Sequence, residues 1–232
     1  MKASMETMQN KPGANTGFSR RMGTLDRILS ELGRAAQVLD GSVRAGRPNP
    51  AGKPPVQAAG DLSPQEQKHA AGLMRVNHVG EICAQALYRG QALFCRDAAI
   101  QEVLHKAAAE EVDHLVWCKE RLDELGSRPS LLNPFWYAGS FGLGVLAGRA
   151  GVAKNLGFMA ETERQVEQHL DRHLRDLPPL DQRSRDVVTQ MRNDEINHRN
   201  TAESRGAEIL RLPIRLAMRA MSKVMTTTAY RI

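Results

Sequence analysis

Glu111-Val-Asp-His114 and Glu195-Ile-Asn-His198 decide the reading of this chain, because each follows a lone glutamate: Glu81 lies 30 residues before the first, Glu163 lies 32 residues before the second. The midpoint of the first interval is Arg96, beside Asp97, and that of the second is Pro179, within Leu177-Pro178-Pro179-Leu180. Turns therefore fall where two helical hairpins need them. A helix climbing about 1.5 Å per residue and returning over the same distance brings Glu81 level with Glu111 and Glu163 level with Glu195. Within each Glu-x-x-His the side chains lie i, i+3 on one face and can converge on one ion. Two single glutamates and two Glu-x-x-His pairs on four helices are the donor set of a four-helix bundle with a dinuclear metal centre.

One Glu-x-x-His on a solvated helix face means little, but two copies with partners at matched distances are not a surface accident. Four carboxylates inside a bundle repel one another and lose hydration, at several kcal/mol per ion, unless cations neutralise them. Oxygen and imidazole donors without thiolate suit iron or manganese, and this donor set does not choose between the two.

The rest of the chain agrees with an all-α fold. Its 232 residues can bury one sizeable core, aromatics make up only 4%, and Val and Ile are scattered without strand-like alternation. Cys83, Cys95 and Cys118 are far apart and without a Cys-x-x-Cys pair, which reads as buried free thiols in a reducing compartment. Residues 1–24 are polar, lack the apolar core of a secretory signal, and read as a disordered tail. Thr24 to Leu39 reads as a short amphipathic helix within a unit at 25–40, and 41–62, rich in Gly, Pro and Ala, as a linker.

The bundle, 63–232, opens at Ser63-Pro64-Gln65-Glu66, a capping box with proline at the first helical position. Helices are expected over about 64–95, 97–125, 157–176 and 180–210, with Asp97 as a cap and Gly126 as a stop, followed by a last helix to about 225. Between the hairpins, 129–148 carries no charge. Two prolines, Asn133 and four glycines argue against a continuous bilayer-spanning helix, so a membrane-interfacial segment with Trp136 and Tyr137 at headgroup depth is expected, a buried crossover being the alternative. Arg211, Arg215, Arg219 and Lys223 then form an i, i+4 cationic stripe beside apolar residues, the pattern of a helix that docks on anionic lipid. The net charge of +6 suits the same surface. No nucleic-acid module is present, and Gly142-Leu-Gly144-Val-Leu-Ala-Gly148 has neither the spacing nor the strand context of a dinucleotide loop.

Leu73-Met-Arg-Val-Asn-His-Val-Gly-Glu81, Glu111-Val-Asp-His114, Leu132-Asn-Pro-Phe-Trp-Tyr-Ala-Gly-Ser-Phe141, Glu161-Thr-Glu-Arg-Gln-Val-Glu-Gln-His169 and Asn193-Asp-Glu-Ile-Asn-His198 together strongly resemble the demethoxyubiquinone hydroxylases of ubiquinone biosynthesis, the bacterial members above all. The resemblance covers about 64–232 and, more faintly, 25–39. It implies a ferritin-like di-iron monooxygenase that uses O2 to hydroxylate the ring of a prenylated demethoxyubiquinol. It also implies two Fe ions per chain, with Glu81, Glu111 and His114 on the first, Glu163, Glu195 and His198 on the second, and Glu111 and Glu195 bridging. Spacing leaves Glu161, Glu163 and Glu167 open for the third glutamate, and the match to the family's motif selects Glu163. Leu170 stands where mitochondrial members carry a tyrosine, so a role for tyrosine there does not transfer. Asp194 and Glu110 each precede a ligand histidine by four residues and are expected to orient His198 and His114 respectively.

The expected setting is peripheral, on the cytoplasmic face of the bacterial cell membrane, or on the mitochondrial inner membrane in a eukaryote. An anionic membrane surface and an external electron donor are the expected partners, with a homo-oligomer or a biosynthetic complex as the open alternatives for assembly. A ferritin-type storage or redox protein and a metal-free membrane adaptor are the competing readings. The first has no need of the apolar segment and basic helix, and the second leaves the glutamates unexplained.

Overall fold

The computed structural model describes residues 23–53 and 62–232, and all the regular elements among them are helices. Residues 1–22 of the expected tail, 1–24, and 54–61 of the expected linker lie outside the described residues. Seven helices follow in order: α1 (Thr24–Asp40), α2 (Pro64–Phe94), α3 (Ala98–Glu124), α4 (Asn133–Arg149), α5 (Val152–Asp176), α6 (Gln182–Ser204) and α7 (Leu212–Ala229). The bundle is α2, α3, α5 and α6, with α2 on α3, α5 on α6, and the α2–α5 and α3–α6 contacts closing it.

Local chemistry sets most helix ends. Ser63 and Glu66 form the reciprocal capping box of α2. The Asp97 carboxylate accepts the Ala99 and Ile100 amides at the start of α3, and Gly126 follows its end with φ +64°. Two ends differ from expectation by five residues or more. Helix α5 begins five residues early, at Val152, after Gly151 takes φ +99°. Helix α6 stops at Ser204 rather than near 210, because Gly206, at φ +91°, turns the chain left-handed and the Glu208 amide then pairs with the Ala153 carbonyl of α5.

The uncharged segment forms one continuous helix, α4, of 17 residues. Its length, about 25 Å, falls short of a bilayer core, and no helix among the described residues is long and apolar enough to cross a membrane. Two of the four glycines that argued against a continuous helix, Gly144 and Gly148, are its packing face. A Cβ on Gly144 would lie 2.1 Å from the Leu87 carbonyl oxygen, and one on Gly90 2.4 Å from that of Phe141, so the backbones of α2 and α4 touch where only hydrogen fits.

Two apolar clusters occupy the bundle. One gathers Met74, Trp117, Cys118, Leu122, Leu170 and Met191; the other gathers Leu87, Tyr88, Leu104, Leu156 and Met159. The candidate ligands lie between these clusters in sequence on every bundle helix, so they form a polar layer walled by hydrocarbon above and below. The thiols of Cys95 and Cys118 are buried, Cys83 is half-buried, and all three are free.

Candidate metal centre

Each bundle helix delivers its glutamate to that layer: Glu81 from α2, Glu111 from α3, Glu163 from α5 and Glu195 from α6, all essentially buried. His114 and His198 join them one turn beyond Glu111 and Glu195. The Nδ1 of His114 lies 3.5 Å from Glu81 Oε2, 3.0 Å from Glu111 Oε2 and 3.3 Å from Glu195 Oε1. The Nδ1 of His198 lies 3.4 Å from Glu111 Oε1, 3.4 Å from Glu163 Oε1 and 3.2 Å from Glu195 Oε2. Glu111 and Glu195 thus turn one oxygen toward each histidine. The six residues fall into two donor groups able to hold metal, Glu81, Glu111, His114 and Glu195 in one and Glu111, Glu163, Glu195 and His198 in the other. The two shared members are Glu111 and Glu195.

The electrostatics fit a cationic occupant. Burial, then the neighbouring Glu111, holds the Glu81 carboxyl well above the usual carboxylate range, and burial, then Glu195, does the same to Glu163. Burial opposes charge on His114 and His198, yet the surrounding carboxylates outweigh it and raise both. Protons and metal ions compete for one negative pocket, so metal binding there releases protons. Glu111 Oε1 is buried without a hydrogen-bond partner, a donor atom left for an ion.

The outward nitrogens are held as well, but crosswise. His114 Nε2 lies 3.0 Å from Asp194 Oδ2, and His198 Nε2 lies 2.7 Å from Glu110 Oε2. The expected pairing within each helix is therefore corrected: each carboxylate serves the histidine of the facing helix. The reason is geometric, since α3 and α6 meet at this layer and the residue just before each inner glutamate sits at their seam. With Nε2 engaged by an anion outside, Nδ1 is the nitrogen presented to the centre.

Two further residues were not legible as part of the site. Tyr88, two turns after Glu81 on α2, donates its hydroxyl to Glu163, and burial plus the surrounding glutamates keep that phenol protonated. The i+7 spacing from Glu81 was its only signal in the sequence. Arg47 comes from the stretch read as linker. Its guanidinium donates to Asp113 Oδ2 at 2.6 Å and to Asp194 Oδ2 at 2.8 Å, and its carbon stands 4.9 Å from the centre of the Trp117 ring. Asp113 also receives the Gly46 amide at 2.6 Å, so 46–47 forms a strap across α3 and α6 behind His114. Glu161 and Glu167, the rivals of Glu163, point elsewhere: Glu161 pairs with Arg164 and Arg215, Glu167 with Arg199.

Beside the layer, an apolar pocket runs between α2, α4, α5 and α7. Glu81 lies in its wall, with Leu87, Trp136, Leu143, Phe158 and Met221 among the side chains around it. The pocket therefore joins the carboxylates to α4 and α7.

The family model described as ubiquinone biosynthesis protein COQ7 matches residues 68–229, the bundle after the first turn of α2 and all of α7. This chain belongs to the COQ7 family. It is 65% identical over 215 residues to a protein of Bordetella parapertussis named 3-demethoxyubiquinol 3-hydroxylase, covering 93% of this chain and 96% of that one. Proteins of the same name from Ralstonia pickettii and Xanthomonas oryzae pv. oryzae are 58% and 55% identical, over 90% and 94% of this chain and 100% and 99% of theirs. These COQ7 relatives span essentially the full length of the present chain, so the strap carrying Arg47 falls within the shared region for the Bordetella protein.

Proposed function

We propose that this chain is a 3-demethoxyubiquinol 3-hydroxylase, that it holds two iron ions on Glu81, Glu111, His114, Glu163, Glu195 and His198, and that it inserts one atom of O2 into the ring of a prenylated quinol. The observation that carries the reading is the sharing of Glu111 and Glu195 between two histidine-centred donor groups, within a bundle of this family. Iron held by these six residues would supply reductive activation of O2. The remaining steps belong to side chains. Glu81 reaches both the donor layer and the pocket wall, which places an incoming ring beside the centre. Apolar residues of α4, α5 and α7 exclude water from that approach. Tyr88 restrains Glu163, while Asp194 and Glu110 fix the two imidazoles.

Delivery from a bilayer suits the outer surface. Helix α4 exposes Phe135 (69%) and Leu146, and α7 exposes Leu212, Leu216 and Val224, at i, i+4 and i+12, on two of the helices that line the pocket. This arrangement supports peripheral attachment to an anionic membrane surface, and the same reading takes reducing equivalents from an external donor. Quinone profiling by mass spectrometry in a strain lacking the gene tests the reaction: a demethoxy intermediate should accumulate and disappear on complementation with the wild type. A normal quinone profile in the deletion strain refutes it. A ferritin-type store has no use for the pocket.

A further inference from the structure

Next to the apolar pocket lies a second cavity of different character, about 570 Å³, between the C-terminal half of α5 and the end of α7. Arg172, Arg219, Lys223 and Arg231 line it, against one carboxylate, Asp176. None of the four cations has an ion-pair partner among the described residues, whereas Arg164, Arg192 and Arg215 on the neighbouring surface are all paired. Four unpaired cations around one concavity repel one another, so the arrangement favours an anion between them.

A second observation points the same way. His173, in the wall of this cavity, is only 5% exposed, and its Nδ1 has no hydrogen-bond partner. Burial and the neighbouring cations push His173 and His169 well below the ordinary histidine range, so both rings are neutral and each keeps one N–H to give. Neutral donors beneath a rim of guanidinium and ammonium groups match a tetrahedral oxyanion, which takes several charge-assisted hydrogen bonds at once. The cavity also shares Val76, Gln165, His169, Ser222 and Thr226 with the apolar pocket. A ligand seated here therefore has its charged end in the basic cavity and hydrocarbon beside it.

We propose that the α5–α7 cavity is a phosphate-binding site whose occupant is the headgroup of a membrane phospholipid, held so that the apolar pocket opens into the acyl region. The choice of a lipid over a soluble phosphate rests on the membrane-facing reading above and on the exposed apolar row Leu212, Leu216 and Val224 of the same helix. The site fixes the register of the pocket mouth on the bilayer, beyond the general attraction of a basic helix.

The test uses full-length protein and vesicle flotation, with no turnover. Vesicles of phosphatidylcholine containing phosphatidylglycerol are compared with vesicles carrying oleate at matched surface charge, and inorganic phosphate and glycerol phosphate are titrated separately. Arg172→Ala combined with Arg219→Ala should lose about tenfold or more in affinity for the phosphatidylglycerol vesicles. Arg205→Ala combined with Arg211→Ala, which removes the same charge outside the cavity, should lose far less. His173→Phe, which changes no charge, should weaken phosphatidylglycerol binding and leave oleate binding unaltered, with circular dichroism and thermal unfolding confirming the fold. Equal losses in both arginine pairs, or equal binding to phosphatidylglycerol and oleate, would overturn the proposal in favour of unspecific attraction. Soluble phosphate that binds through Arg172 and Arg219 as tightly as the vesicles would overturn the lipid assignment. Because neither iron nor quinol enters the measurement, an inactive enzyme with intact phosphate binding refutes the hydroxylase reading alone, and the reverse result refutes this site alone.

Discussion

Glu111 and Glu195 are the residues on which the metal reading turns, since each aims one oxygen at His114 and the other at His198. Glu111→Ala or Glu195→Ala should therefore lower iron content from about two per chain toward none and abolish the spectroscopic coupling between the ions. Glu81→Ala and Glu163→Ala should each perturb mainly one ion. Metal analysis and Mössbauer spectra of anaerobically loaded protein read the difference, and full loading of both shared-glutamate variants would refute the assignment. Arg47 acts at one remove. It pins Asp194, which holds His114 Nε2, and Asp113, which ties the strap to α3. Arg47→Ala should weaken Fe(II) binding by about tenfold to a hundredfold, the usual effect of losing an outer partner of a ligand, while Arg47→Lys restores only part because an ammonium cannot span both carboxylates. Chelator competition measures both. Spacing made five of the six inner residues legible, because helix periodicity is local, whereas Glu163 was chosen over Glu161 and Glu167 only by its match to the family's motif. Arg47 was not legible: it meets Asp113 from 66 positions away, inside a stretch whose Gly and Pro content reads as linker.

At the level of the element, α4 shows how the same glycines carry two meanings. Gly144 and Gly90 let α2 and α4 touch backbone to backbone, whereas Gly139 and Gly142 have nothing within 4 Å of where a Cβ would stand. Gly144→Val should cost at least about 1–3 kcal/mol, the range for overpacking a tight contact, with more expected here because the atom it meets is backbone. Gly139→Ala or Gly142→Ala should raise stability by up to about 1 kcal/mol through helix propensity. Thermal unfolding gives both signs, and a tolerated Gly144→Val would show that the α2–α4 contact is slack. Composition announced an uncharged segment but not which glycines face a neighbour. The same limit applied to α6, whose end depends on the Glu208–Ala153 pairing with α5.

For the whole molecule, the pocket, the apolar faces of α4 and α7 and the basic cavity lie on adjoining elements, and they predict how the protein meets a bilayer. Phe135→Ser with Leu146→Ser, and separately Leu212→Ser with Leu216→Ser and Val224→Ser, should each weaken binding to neutral and anionic vesicles alike, because apolar insertion is lost at about 25 cal/mol per Å² withdrawn from water. Phe135 is the better probe than Trp136, whose ring is half-buried and lines the pocket. Flotation with circular dichroism checks the result, and folded variants that bind like the parent would refute the membrane-facing reading. Of the expected basic stripe, Arg215 is committed to Glu161 at 3.1 Å and fastens α7 to α5, so its charge does not reach lipid freely.

By itself the sequence determined an all-α chain, two helical hairpins, five of the six inward Glu and His side chains and an uncharged crossover, because each of these depends on the helical repeat, capping chemistry or the solvation of charge along a contiguous stretch; the place of Glu163 over Glu161 and Glu167 was settled by burial in the layer. The tertiary structure alone decided the crosswise pairing of Asp194 with His114 and Glu110 with His198, the strap through Arg47, the hydroxyl of Tyr88 on Glu163 and the joining of pocket to basic cavity. Those contacts form between residues distant in the chain, where helix crossing and burial choose among partners that every local pattern leaves equal.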